Sequence, residues 1–287
     1  MTAPALTVSP ALQGAHGVSF AGAIRSEWIK LRSLRSTFWC AVIIVVLNVA
    51  VSPLLLAVLP ADGLPSGPST MSLVVSAITV GSGFTSLVAA VIGALTITGE
   101  YGTGMIRSTF AAVPKRLPAL AAKAVVLFLA VFVVAAVSVT LSTLIVLAQA
   151  SGRGLDLDLD GAFWLALLGD AGYLALIGLM ALTVGAIVRN TAGAIATMVG
   201  LILVLPNVAS LVSALARVTW LQNVGEFLPS TAGSRMYAYP SPGLDAVVQQ
   251  AQPGAITLEP WQGLLVLLAW IVVLATIATI LVRRRDV

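Results

Sequence analysis

Runs of apolar residues, each about twenty or longer, alternate along the chain with short connections that hold most of its charge. Six stand out, at about 38–59, 72–98, 119–150, 162–188, 192–215 and 261–282. At about 1.5 Å of rise per residue, each crosses about 30 Å of hydrocarbon as a helix. None alternates with a period of two, and a lone strand would leave its backbone polar groups unpaired in lipid. The pattern therefore predicts an all-α polytopic membrane protein of six transmembrane helices. Pro53 in the first run predicts a kink, Gly81, Gly83 and Gly93 lie in the second, and Pro206 lies in the fifth. Pro118 suits the first turn of the third, where its missing N–H is no loss.

The connections sort by charge. With the N-terminus inside, Arg25, Lys30, Arg32, Arg35, Arg107, Lys115, Arg116, Lys123, Arg189, Arg283, Arg284 and Arg285 are cytoplasmic, 12 of the 15 basic residues. Only Arg153, Arg217 and Arg235 fall outside, so the positive-inside rule puts both termini in the cytoplasm. Composition agrees: 59% of the 287 residues are hydrophobic and 9% charged, against about 25% charged in soluble domains. The reading is a disordered cytoplasmic tail over residues 1–17 and a single six-span domain over 18–287. The first run begins too late and runs too long for a cleaved signal peptide. The basic balance points to anionic lipid, not to nucleic acid.

Residue types exclude much chemistry. The one histidine, His16, lies in the tail, and the one cysteine, Cys40, forms no internal disulfide or thiolate cluster. Lys30, Lys115 and Lys123 follow Ile, Pro and Ala, so there is no phosphate-cradling Gly-Lys-Ser/Thr turn. The chain is not expected to be an enzyme by itself or to bind a cofactor. Asp170 is the acid inside a run, about eight residues or 12 Å from its outer end. Two readings stand. A later-starting helix makes Asp170 a cap near the headgroups, as the interfacial type of Tyr173 suggests. Otherwise it is an intramembrane polar site.

Two segments on the inner face carry further pattern. From Phe20 to Phe38, the residues Phe20, Ile24, Trp28, Leu31, Leu34 and Phe38 fall in one arc of about 120°. This predicts an N-terminal interfacial elbow helix, with Arg25, Lys30 and Arg32 off the arc for anionic headgroups. Glu27 inside the arc and Ile29 opposite spoil the fit, and a plain basic juxtamembrane segment explains the charges equally well. Between the second and third runs, Glu100 stands at a helix C-terminus, where the dipole repels a carboxylate. Turns at Gly99, Gly102 and Gly104 would relieve this and open a short helix over about 103–113. Pro114 then ends it before Lys115, Arg116 and Pro118. An ordinary positive-inside loop is the alternative.

These segments resemble a known family. Ser26-Glu-Trp-Ile-Lys-Leu-Arg32 and its continuation to Trp39 look like the entry segment of permease subunits of ABC transporters of the second exporter type. Thr98-Gly-Glu-Tyr-Gly-Thr-Gly-Met-Ile-Arg107, followed by Pro114-Lys-Arg116, resembles that family's cytoplasmic coupling loop. The resemblance implies a transmembrane half-exporter in the bacterial cytoplasmic membrane, pairing with a second permease copy as a homodimer or heterodimer. Separate ABC ATPase subunits would hold the ATP and Mg. It assigns Glu27, Trp28, Lys30 and Arg32 to the elbow, and Glu100, Tyr101, Gly102, Gly104, Arg107, Pro114, Lys115 and Arg116 to ATPase coupling. Two rivals remain: a proton-coupled carrier built on Asp170, and a non-transporting sensor or assembly subunit.

Outside, the connection over 216–260 is too long for a simple link. The resemblance implies short re-entrant or extracellular helices here, over Leu221–Tyr239; the alternative is a disordered extracellular loop, against which Trp220, Phe227, Tyr237 and Tyr239 interleaved with polar residues speak. Residues 152–160 alternate Leu and Asp without a recognised calcium spacing, and read as a solvated loop.

Overall fold

The computed structural model describes residues 19–59, 68–106, 117–216, 219–240, 254 and 256–284. Among them all regular structure is helical: α1 (Phe20–Ser33), α2 (Arg35–Val58), α3 (Pro68–Thr79), α4 (Ser82–Thr103), α5 (Leu117–Gly152) and α6 (Gly161–Val188) come first. Then follow α7 (Thr191–Val199), a π-helical turn (Gly200–Val204), α8 (Leu205–Ala216), α9 (Thr219–Glu226), α10 (Pro229–Arg235) and α11 (Pro260–Arg284). Six helical stretches are long and apolar enough to cross a membrane. The chain is a multi-pass membrane protein. The tail assigned to residues 1–17 lies outside the described residues.

Helix α6 is the axis of the bundle. Its apolar window is 78% buried, against 11% for the fifth span, and it packs on α3, α4, α5, α7, α10 and α11. Small residues permit this. A Cβ on Gly93 of α4 would lie 2.0 Å from the Gly178 carbonyl oxygen and 2.9 Å from the Ala181 Cβ. One on Gly185 would lie 2.6 Å from the Ile97 Cγ2. In lipid, association rests on such close backbone approach rather than on a hydrophobic drive.

The second span is two helices. It breaks at Val80–Gly81, where α2 presses in: a Cβ on Gly81 would sit 2.5 Å from the Asn48 Oδ1 and 2.9 Å from the Asn48 Cα. The break frees a carbonyl, and the Ser52 hydroxyl donates to the Ile78 oxygen at 2.8 Å, meeting lipid's demand for satisfied backbone. Helix α2 runs through Pro53 without ending there. Ahead of Pro206, which lacks an N–H, the fifth span adopts the π-helical turn, with the Leu205 N–H reaching the Gly200 carbonyl.

The end of the bundle away from α1 is covered by a cap of α9, α10 and the segment to Pro240. Short helices over 221–239 are present, at Thr219–Glu226 and Pro229–Arg235. Arg235 binds Glu226 through two hydrogen bonds of 3.0 and 2.9 Å. The Trp270 indole N–H donates to the Phe227 carbonyl, and the Tyr239 hydroxyl to the Asp160 Oδ2. The 152–160 segment is therefore tied down at Asp160, which also caps α6 by accepting the Phe163 N–H at 2.8 Å. Because Glu226 is buried, Arg235→Met is expected to destabilise the cap by about 1–3 kcal/mol. Faster proteolysis between residues 219 and 240 would register it; an unchanged cleavage rate would refute it.

Candidate functional site

At the α1 end, four charged side chains from three helices close into a ring. The Lys30 Nζ donates to the Glu27 Oε1 at 2.8 Å and to the Glu100 Oε1 at 3.0 Å. The Lys123 Nζ donates to the Glu100 Oε1 at 2.8 Å and to the Glu27 Oε2. Glu27, Glu100 and Lys123 are buried, whereas the Lys30 side chain keeps 25% exposure. Burial lowers the affinity of the Lys30 amine for its proton, but the Glu27 and Glu100 carboxylates outweigh it, so its pKa stands above the usual lysine value. Two acids and two bases make the ring formally neutral.

The local sequence explains the arrangement. In α1 the face turned to the bundle is Ala23, Glu27 and Leu31, at four-residue spacing. The apolar arc expected to define that helix is mostly turned away, with Phe20, Trp28 and Leu34 exposed. The helix ends at Leu34 in extended conformation, which puts Phe38 on α2. Glu27, the residue that spoiled the arc, is the anchor. Lys30, expected at headgroups, turns inward, because two carboxylates attract it more strongly than water holds it. Trp28 and Arg32 stay outside the ring and line an apolar cleft of about 360 Å³ with Phe38, Leu129 and Val133.

Glu100 corrects a second expectation. Helix α4 does not turn at Gly99 or Gly102 but continues to Thr103, where Gly104 with φ 74° ends it. The two lysines offset the dipole repulsion that turns were expected to relieve. The basic partners are Lys30 and Lys123, and Lys123 was not among the expected site residues. Its signal was available: it lies six residues inside α5, too deep for a loop charge. Tyr101 packs under the Arg189 guanidinium, 5.1 Å from ring centroid to Cζ, and Gly102 is exposed. Arg107, Pro114, Lys115 and Arg116 lie outside the described residues. Among the described residues the Glu100 Oε2 has no hydrogen-bond partner. Beside it opens a cleft of about 340 Å³, walled by Leu31, Leu34, Leu95, Met105 and Val126. No family model matches the chain, and no curated protein does either.

Asp170 sits elsewhere. It lies in the third turn of α6 with no exposed surface, and Asp160, not Asp170, is the cap. The Ser82 hydroxyl donates to its Oδ2 at 2.8 Å, while its Oδ1 has no partner among the described residues. No group of three metal-ligating side chains occurs among the described residues.

Proposed function

We propose that this chain is the permease subunit of an ATP-driven ABC exporter of the second type, acting as a dimer with separate ATPase subunits. The observation that carries the reading is the neutral ring. It ties α1 to the end of α4 and the start of α5, on either side of the 104–116 connection that resembles a coupling loop. A push on that connection reaches α1, α4 and α5 as one unit, because pulling any charge from the ring strands another in a buried place. Helix α4 passes the displacement to α6 through the Gly93–Gly178 crossing. Two packings of the spans would then expose the cargo path to opposite sides in turn, with ATP binding on the partner selecting between them. In this reading the α1 end faces the cytoplasm of a bacterium and the cap faces out. Trp28, Arg32 and the exposed apolar arc of α1 meet lipid headgroups and tails.

The test is co-purification. A tagged chain is expected to bring down a nucleotide-binding subunit with ATP hydrolysis. Arg107→Glu should reduce both at least tenfold while leaving the thermal midpoint of the permease in place. Undiminished association in that variant would overturn the coupling assignment. Asp170 favours a second reading, a proton-coupled carrier. Transport driven by an imposed pH gradient without ATP, and lost in Asp170→Asn, would establish it instead.

A further inference from the structure

The cleft beside Glu100 has apolar walls and one unmet demand. Glu100 lines it and is only 4% exposed. Its Oε1 accepts from Lys30 and Lys123, at 3.0 and 2.8 Å, while its Oε2 accepts from no group among the described residues. A carboxylate oxygen has room for about two hydrogen bonds, and leaving it bare in a buried place is costly. The hydroxyls around the cleft are committed elsewhere. Thr96 donates to the Ile92 carbonyl at 2.7 Å, Thr103 to the Gly99 carbonyl at 2.9 Å and Ser33 to the Lys30 carbonyl at 2.8 Å. The donor that Oε2 lacks is left for an occupant of the cleft to supply.

Charge and walls narrow the choice of occupant. With the ring formally neutral, an incoming cation would add an uncompensated charge to a buried place, and an anion would face Glu100. A neutral donor does neither. Water is one, but a held water needs about two to four polar partners, and the Leu31, Leu95 and Val126 walls offer none. A lipid acyl chain suits those walls and leaves Oε2 bare. An apolar body with a hydroxyl attached to it satisfies both. A cavity of about 150 Å³ accepts benzene, so the cleft, at about 340 Å³, suits a molecule about twice that size. Leu34 and Met105 of its lining are exposed apolar side chains, which favours entry from the bilayer.

Gly99 keeps the space open. It lies inside α4 and lines the cleft, yet it serves no close crossing. A Cβ there meets nothing within 4 Å among the described residues, whereas one on Gly93 of the same helix meets the Gly178 carbonyl. A glycine within a helix weakens it, and here the missing side chain leaves room in the cleft. We propose that this cleft binds a small hydrophobic molecule ending in one neutral hydroxyl, a lipophilic phenol or alcohol. The O–H donates to the Glu100 Oε2, and the apolar body lies against Leu31, Leu95 and Val126. Binding requires neither an ATPase nor transport, so it stands or falls separately from the exporter reading.

The probe is 4-pentylphenol, and its control is 4-pentylanisole, the same body with the O–H methylated. Ser36 lines the cleft and is exposed. In a full-length Cys40→Ala chain held in lipid nanodiscs, Ser36→Cys therefore reports occupancy through its rate of alkylation by a maleimide. Saturating 4-pentylphenol should slow that rate about fivefold or more, and the ether should need about tenfold more in the bilayer for the same effect, the difference made by one hydrogen bond to a carboxylate. Ser151→Cys, exposed near the other end of α5, should react at an unchanged rate with either compound present. Equal protection by phenol and ether would mean a groove that any apolar chain fills. That result, no protection by the phenol, or equal slowing of both cysteines would each overturn the proposal. This comparison leaves the cleft itself unaltered. Gly99→Phe then fills the space with a ring that has no neighbour to strike, and should abolish the protection; protection that survives it would count equally against the site.

Discussion

Lys123→Met is expected to lower the stability of the protein by about 3–5 kcal/mol, the usual consequence of removing one partner from a buried ion pair. The variant leaves Glu27 and Glu100 both buried with Lys30 alone between them. Two negative charges then face one positive charge, and the Glu27 Oε2 loses its donor. Thermal unfolding in detergent, followed by helical signal, would measure this. The ring makes a sharper forecast for the double variant. Glu27→Gln added to Lys123→Met leaves Glu100 and Lys30 as a balanced pair at 3.0 Å, so it should unfold at a higher temperature than Lys123→Met alone. A double variant less stable than the single would mean that the four charges do not act as one unit. Replacing the whole ring by apolar residues of similar volume need not destabilise at all. The ring is better explained by joining three helices in one geometry than by raw stability.

The second large effect lies at the α4–α6 crossing. Gly93→Ala should cost about 1–3 kcal/mol, as overpacking does, and Gly93→Leu should prevent normal assembly. The new Cβ meets a backbone carbonyl rather than the tip of a flexible side chain, so a rotamer change gives no escape and the two helices must part. Gly83, in the same helix, is the control. A Cβ there meets nothing within 4 Å among the described residues, and Gly83→Ala should be neutral or slightly stabilising. Equal melting temperatures for the two alanine variants would refute the close crossing.

The six helices were legible because a span must be apolar along its whole length, and that signal survives every detail of packing. Their ends were legible to within a few residues for the same reason. The break at Gly81 was not, because glycine is common in membrane helices and only Asn48 of another helix gives this one its meaning. Glu27 shows how a site can hide in a pattern. An acid on an apolar arc reads as a flaw until the opposite wall supplies lysines from sequence positions far away. Lys123 was sorted by sign into the inner face, which is what the positive-inside rule asks, and the rule is silent on whether a charge meets water or a carboxylate. Ala181 and Gly185 are small residues of a kind common in membrane helices, and their partners on α4 emerge only from the helix pairing. Asp170 was ambiguous because helix depth depends on where the helix starts, and Asp160 takes the capping position.

The neutrality of the Glu27–Lys30–Glu100–Lys123 ring has an electrical consequence. A single charge carried across the full membrane potential exchanges about 2.3 kcal/mol per 100 mV with the field. Two acids and two bases moving together exchange almost none. The ring itself therefore adds no voltage dependence to a displacement of α1, α4 and α5, whereas in a chain lacking Lys123 it would add that of one uncompensated charge.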